Sequence, residues 1–128
     1  MAGAETHIPP DLPRPDRIAR ILARDGSHCV WCRRPLAPGD RELTFEHVIP
    51  RLKGGPAWAE NEVAACRACN RRRGHRAPTQ FLAECEARGL RPDRPAIAAS
   101  LRRLAAAISA RGGQRRARPY LERELRRL

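Results

Sequence analysis

The sequence predicts a small α+β domain, in which a strand-like run between two cysteine pairs is accompanied by several helices. Three observations predict it. Two Cys-x-x-Cys pairs, Cys29/Cys32 and Cys66/Cys69, bracket a segment that is partly alternating and β-branched or aromatic. Helical periodicity is strongest outside that bracket. The chain is 128 residues long with aromatics at only 4%, so one thin core is all it can build without a staple.

The elements follow in order. Residues 1–15 are Pro-rich and polar and read as a flexible arm. In PDRIARILARDGSH, Ile18, Ile21 and Leu22 fall on one helical face, with Asp16 placed to cap the start and Gly26 to end it. CVWCRRPLAPGDRE carries a Cys-x-x-Cys knuckle into a Pro/Gly turn. ELTFEHVIPRL reads as a strand broken at Pro50. KGGPAWAENE is a loop. NEVAACRACNRRRGHR runs from a short strand or turn into a helix ending near Gly74. APTQFLAECEARGL is a helix capped by Thr79 and closed by Gly89, with Phe81, Leu82 and Cys85 on one face. Cys85 is a small core residue there, with no chemistry assigned. PAIAASLRRLAAAISARGG is a further helix, with Ile97, Leu101, Leu104 and Ile108 as its stripe. The organisation expected is an arm at 1–15, a domain at 16–90 and a basic helical extension at 91–128.

Four of the five cysteines sit in the two pairs, a spacing that suits metal better than disulfides in a reducing compartment. Zinc takes four tetrahedral ligands, and thiolates suit it. Cys29, Cys32, Cys66 and Cys69 would close such a site completely. The ion would then be structural, and it supplies the staple the core lacks.

Net charge is +12, and Lys53 is the single lysine among 26 basic residues. A GC-rich genome accounts for arginine over lysine, but not for the excess of base over acid. That excess favours a polyanion, most often nucleic acid, over a membrane surface. No apolar run is long enough to span a membrane, and the N-terminal residues show no secretory pattern. The expectation is a soluble cytoplasmic protein.

Between and just beyond the cysteines lie Glu46, His47, Asn61 and Asn70. The ordered string CVWC, FEHVIPRLKGG, ENEVAACRACNRRRG resembles the HNH endonuclease family, also called His-Me finger nucleases. The resemblance covers about residues 29–76 and weakens through 77–90. It implies a ββα-metal core around one catalytic divalent ion, in a branch where a structural zinc pins the hairpin to the helix. His47 is then the general base that takes a proton from water. Glu46 and Asn70 hold the catalytic cation, for which hard oxygen donors suit magnesium or manganese. Asn61 ties the loop to the hairpin and orients the histidine. The products carry a 5′-phosphate and a 3′-hydroxyl. Two departures stand out. Many relatives have Asp where this chain has Glu46, whose carboxylate is displaced by about 1.5 Å, one C–C bond. The last motif letter is Asn70, and His75 reads as a surface histidine near phosphate.

As neighbours on an extended run, Glu46 and His47 point to opposite sides. A bend beside Pro50 would let both approach one phosphate. Gly54-Gly55 allows a tight return. Arg51, Arg67, Arg71, Arg72, Arg73 and Arg76 surround the site in sequence, and arginine suits bidentate phosphate contact. All three of Arg71–Arg73 are not expected to avoid the DNA side. Trp31 and Trp58 read as packing. The C-terminal QRRARPYLERELRRL is either a DNA grip or a helix for a protein partner or homodimer, with Leu121, Leu125 and Leu128 as its stripe. The competing reading of the whole chain is a zinc-stabilised DNA-binding module without catalysis. It has no need of an acid–histidine pair beside an amide next to the zinc.

Overall fold

The computed structural model describes residues 12–128. It is a mixed α+β structure in which five α-helices surround one two-stranded antiparallel sheet among the described residues. Helix α1 spans Arg14–Asp25, strand β1 Leu43–His47 and β2 Glu62–Cys66. Helices α2 (Arg67–Arg73), α3 (Pro78–Ala87), α4 (Arg94–Arg111) and α5 (Ala117–Arg127) follow. Short 3-10 turns at Arg51–Lys53 and Ala59–Asn61 shape the connection between the strands.

Helix α1 begins at Arg14, inside the segment expected to be an arm; residues 1–11 lie outside the described residues. Its N-cap is Pro13, not Asp16, because Pro15 within the first turn already sets the backbone. Gly26 ends it, at φ 87°. Strand β1 stops at His47, three residues before Pro50. Just beyond it, Val48 N–H donates to Asn61 O at 2.7 Å, which carries the same pairing register one position past the strand.

The hairpin register pairs Thr44 with Ala65, Glu46 with Val63 and His47 with Glu62. Alternation then separates two faces. On one, Thr44 and Glu46 meet α2: Asn70 Nδ2 donates to Thr44 Oγ1 at 3.0 Å, and Arg73 donates to Glu46. On the other, Glu62 meets α1 through Arg17 and faces His47 across the strands. Phe45 packs with Ile21 of α1 on that same side. The hairpin thus lies between α1 and the main body.

One apolar cluster joins the cysteine region to the C-terminal helices. It contains Cys29, Trp31, Phe81, Leu101, Leu104 and Leu121, among others. Trp31 is fully buried and meets Phe81 edge-on, with centroids 4.9 Å apart. Cys85 is buried in the same cluster, and burial pushes its thiol up to about 11. Trp58 is half-buried beneath the Arg111 guanidinium, 4.5 Å from the ring centroid.

The C-terminal helix packs on its own chain. Leu121 is buried and Leu125 half-buried, so of the expected stripe only Leu128 is exposed. Its Glu124 is fully buried and corrects a second capping expectation. Helix α3 starts at Pro78 with no cap from its own side chains. Glu124 Oε1 accepts from Thr79 N–H at 2.8 Å and from Thr79 Oγ1 at 2.9 Å, so the carboxylate that satisfies the helix start comes from α5. Replacing Glu124 with Ala is expected to lower unfolding free energy by about 1.5–3 kcal/mol, the range for hydrogen bonds to a charged group, read from urea denaturation.

Candidate metal centre and active site

The cysteine cluster forms because two turns present sulfur the same way. Arg33 N–H donates to Cys29 O at 2.8 Å and Trp31 N–H to Cys29 Sγ at 3.4 Å, which closes the first knuckle. Arg33 takes a positive φ of 65° to complete that turn. At the second, Cys66 is the N-cap of α2 and its sulfur accepts from Cys69 N–H at 3.4 Å. Val30 N–H donates to Ala64 O at 3.1 Å, which docks the first knuckle on β2.

All four sulfurs lie within 4.8 Å of one another, and Cys32 Sγ is 3.9 Å from Cys66 Sγ. A tetrahedral zinc with bonds of about 2.3 Å sets its sulfurs about 3.8 Å apart, so the donor set fits that ion. The proton economy points the same way. A hydrogen bond from Cys69 holds the Cys29 thiol down at about 5, and the same contact pushes Cys69 up. One thiolate forms readily and the next is resisted by its neighbour. A dication removes that conflict by taking all four as thiolates.

The second site is a cavity of about 340 Å³ beside the His47–Glu62 end of the hairpin, where the connection between the strands begins. Glu46, His47, Glu62, Asn70, Arg17 and Arg51 line it, with Arg14 and His75 also on its wall. Glu46, His47 and Asn70 are therefore brought together, although the strand turns the first two to opposite faces. Asn61 stands behind them, fully buried. Its Oδ1 accepts from Ile49 N–H at 2.8 Å, and its Nδ2 donates to Ile49 O at 3.1 Å and Pro56 O at 3.0 Å. Gly55 is forced by the same closure, because a Cβ there would stand 1.8 Å from Ile49 O.

His47 is half-buried. Burial lowers its pKa; Glu62 pulls it back up, and Arg51, Arg17 and Arg73 push it down further. The imidazole is therefore neutral near pH 7, the form that accepts a proton.

Arg73, expected among the DNA contacts, is 1% exposed and lies at the back of the cavity wall, with its guanidinium engaged inside the protein. Its guanidinium donates to Glu46 Oε1, to the carbonyls of His47 and Val48, and through Nε to Arg76 O. It also lies over the Trp31 ring, 5.3 Å from the centroid. The seven-residue helix is short enough that its last turn faces the hairpin. Arg71 and Arg72 are exposed, and so is Arg76, which pairs with Glu84 at 3.2 Å. None of those three lines the cavity; Arg51 does.

Glu46 is 8% exposed, and both its oxygens are engaged, Oε1 by Arg73 and Oε2 by Trp31 Nε1 at 3.0 Å. Burial raises its carboxyl pKa against the pull of Arg73. A carboxylate already sharing its charge with a buried guanidinium does not fit as the direct ligand of a divalent ion. Asn70, with its amide nitrogen given to Thr44, would have a single neutral oxygen left to offer such an ion.

The residues that sequence reasoning missed are Glu62 and Arg17, with Arg14 beside them. Hairpin register was the signal that pairs Glu62 with His47; nothing local announced Arg17.

Comparison with known proteins bears on this geometry. Residues 29–86 match the family model described as HNH endonuclease. This segment belongs to the HNH endonuclease family. It includes both cysteine pairs, the hairpin and α2 and α3, whereas α1, α4 and α5 lie outside it. No curated protein and no solved structure matched the chain. The HNH segment implies a nucleic-acid substrate. No helix among the described residues is long and apolar enough to cross a membrane.

Two outcomes are expected. Cys69→Ser should abolish stoichiometric zinc by metal analysis and lower the melting temperature. Arg73→Leu should cost about 3–5 kcal/mol in chemical denaturation, because it strands Glu46 as a buried acid without its partner.

Proposed function

We propose that the protein is a DNA endonuclease in which His47 is the general base for phosphodiester hydrolysis. The observation that carries this reading is a half-buried histidine, its pKa lowered by burial, on the wall of an arginine-lined cavity in a segment that matches the HNH family. Water gives a proton to His47, and its oxygen forms a bond to phosphorus. The P–O3′ bond breaks, leaving a 5′-phosphate and a 3′-oxygen that takes a proton from solvent. Arg51 and Arg14 on the cavity wall suit the phosphate oxygens. Asn61 holds the loop after His47 against the hairpin and so supports the base without touching the substrate.

Exposed arginines extend the basic surface beyond the cavity. Arg71 and Arg72 project from α2. Near the Gly54 turn, Arg116 donates to Leu52 O at 2.6 Å and joins Lys53 and Arg123 around a second basic hollow. These suit sequence-independent backbone contacts.

The structural zinc would rest on Cys29, Cys32, Cys66 and Cys69 and serve the fold. The magnesium or manganese ion that the resemblance places on Glu46 and Asn70 is assigned no step, since Glu46 is committed to Arg73 and Trp31. That commitment is also the observation favouring the second reading, a zinc-stabilised DNA-binding module without catalysis.

A supercoiled-plasmid assay separates the two. The zinc-loaded protein is expected to nick or linearise plasmid, and His47→Ala to lose at least a hundredfold in rate while keeping its DNA affinity, general-base contributions being about 10²–10⁴-fold. Full cleavage by His47→Ala would refute the mechanism. Tight binding with no cutting, with magnesium or manganese added or withheld, would select the binding module.

A further inference from the structure

We propose that Glu62, clamped by Arg17 of α1, is the positioning carboxylate for His47, so that the N-terminal helix completes the active site. The hairpin makes Glu62 the direct cross-strand partner of His47. It is 4% exposed, and a carboxylate so placed needs a reason and a partner. Arg17 is the partner: its Nε donates to Glu62 Oε1, while its Nη1 donates to Leu12 O at 3.0 Å. The other oxygen, Oε2, lies 3.8 Å from His47 Nε2.

The 3.8 Å gap is an electrostatic distance, about 1 Å beyond a hydrogen bond. Catalytic contacts are often long in substrate-free sites and tighten when the substrate binds. With Nε2 facing a carboxylate, the favoured tautomer carries its proton on Nε2. That leaves Nδ1 with the lone pair for water, the same division of labour by which a carboxylate orients the histidine of a hydrolytic triad. Of the other charged groups around His47, Arg51, Arg17 and Arg73 are cations, so Glu62 is the group that can accept from the ring.

Arg17 is more than a counter-charge. Lower on the same helix, Arg24 donates to Ala59 O and Glu62 O, each at 2.8 Å, so α1 is fastened to the start of β2 and to the turn before it. Glu62 lines the cavity, and the Arg17 guanidinium both fixes its carboxylate and offsets the repulsion that carboxylate would exert on a phosphate. Neither Glu62 nor Arg17 belongs to the motif residues, and Arg17 lies outside the family segment altogether.

The bland competitor is an ion pair that merely anchors α1. Two variants of the full zinc-loaded chain separate the readings: Glu62→Leu, and Glu62→Leu combined with Arg17→Met, which removes both charges and keeps the fold testable if the single change does not. The readouts are the ¹⁵N NMR tautomer pattern of His47 and single-site cleavage kinetics. The Nε2-protonated form should dominate in the parent and fall in the variants. The kcat should drop by roughly tenfold to a hundredfold with KM near the parent value. An unchanged tautomer pattern in a folded variant, or a raised KM with kcat intact, would overturn the proposal. The kinetic arm rests on the nuclease reading. The NMR arm needs no turnover, so a parent protein that cuts nothing would refute that reading while the tautomer comparison still decides this one.

Discussion

The convergence of four sulfurs within 4.8 Å is the constraint on which the rest of this structure depends. With few aromatic side chains to pack, the chain gathers at the start of its hairpin-and-helix unit four cysteines that could hold a zinc ion. Cys66 ends β2 and caps α2, so one residue belongs to strand, helix and sulfur cluster together. From that point the direction of α2 is set, and with it the positions of Asn70 and Arg73. Arg73 then reaches back to the carbonyls of His47 and Val48 and holds the end of β1 where the cavity opens. A chain of fixed steps thus runs from the thiolates to the histidine.

The arginine excess has two fates. Part of it faces solvent and suits a polyanion. Another part is spent inside the molecule: Arg73 on Glu46, Arg17 on Glu62, Arg24 on Asp25 and two carbonyls, and Arg111 on Glu60. Arginine suits this work because its fork satisfies several acceptors at once and it is weakly hydrated. Composition alone could not divide these roles, since a buried and a solvated arginine look alike in a sequence.

What could be read in advance was local. The cysteine spacing, a strand ending before Pro50 and a helix ending at Gly74 are short-range patterns, and the structure places those elements close to where periodicity and turn chemistry put them. What escaped were facts of relative placement. The phase of a short helix against a sheet is decided by packing, so nothing local shows that Arg73 turns inward. The carboxylate that serves Thr79 comes from Glu124, 45 residues away. The start of α1 rests on Pro15 in its first turn, with no side-chain cap of the kind expected from Asp16. The Glu62–His47 pairing needed the hairpin register, and the docking of α1 needed the finished surface.

The shared apolar cluster bears on how such a chain is inherited and recombined. The recognisable motif ends at residue 86, yet the residues that cover Trp31 and Phe81 continue through Leu101, Leu104 and Leu121. A segment cut at the motif's boundary and spliced into another protein would carry both cysteine pairs and the hairpin but only part of its own interior. The motif can therefore travel between proteins only if each host grows a new cover for it, and the helices around the motif are free to differ while the motif itself stays legible.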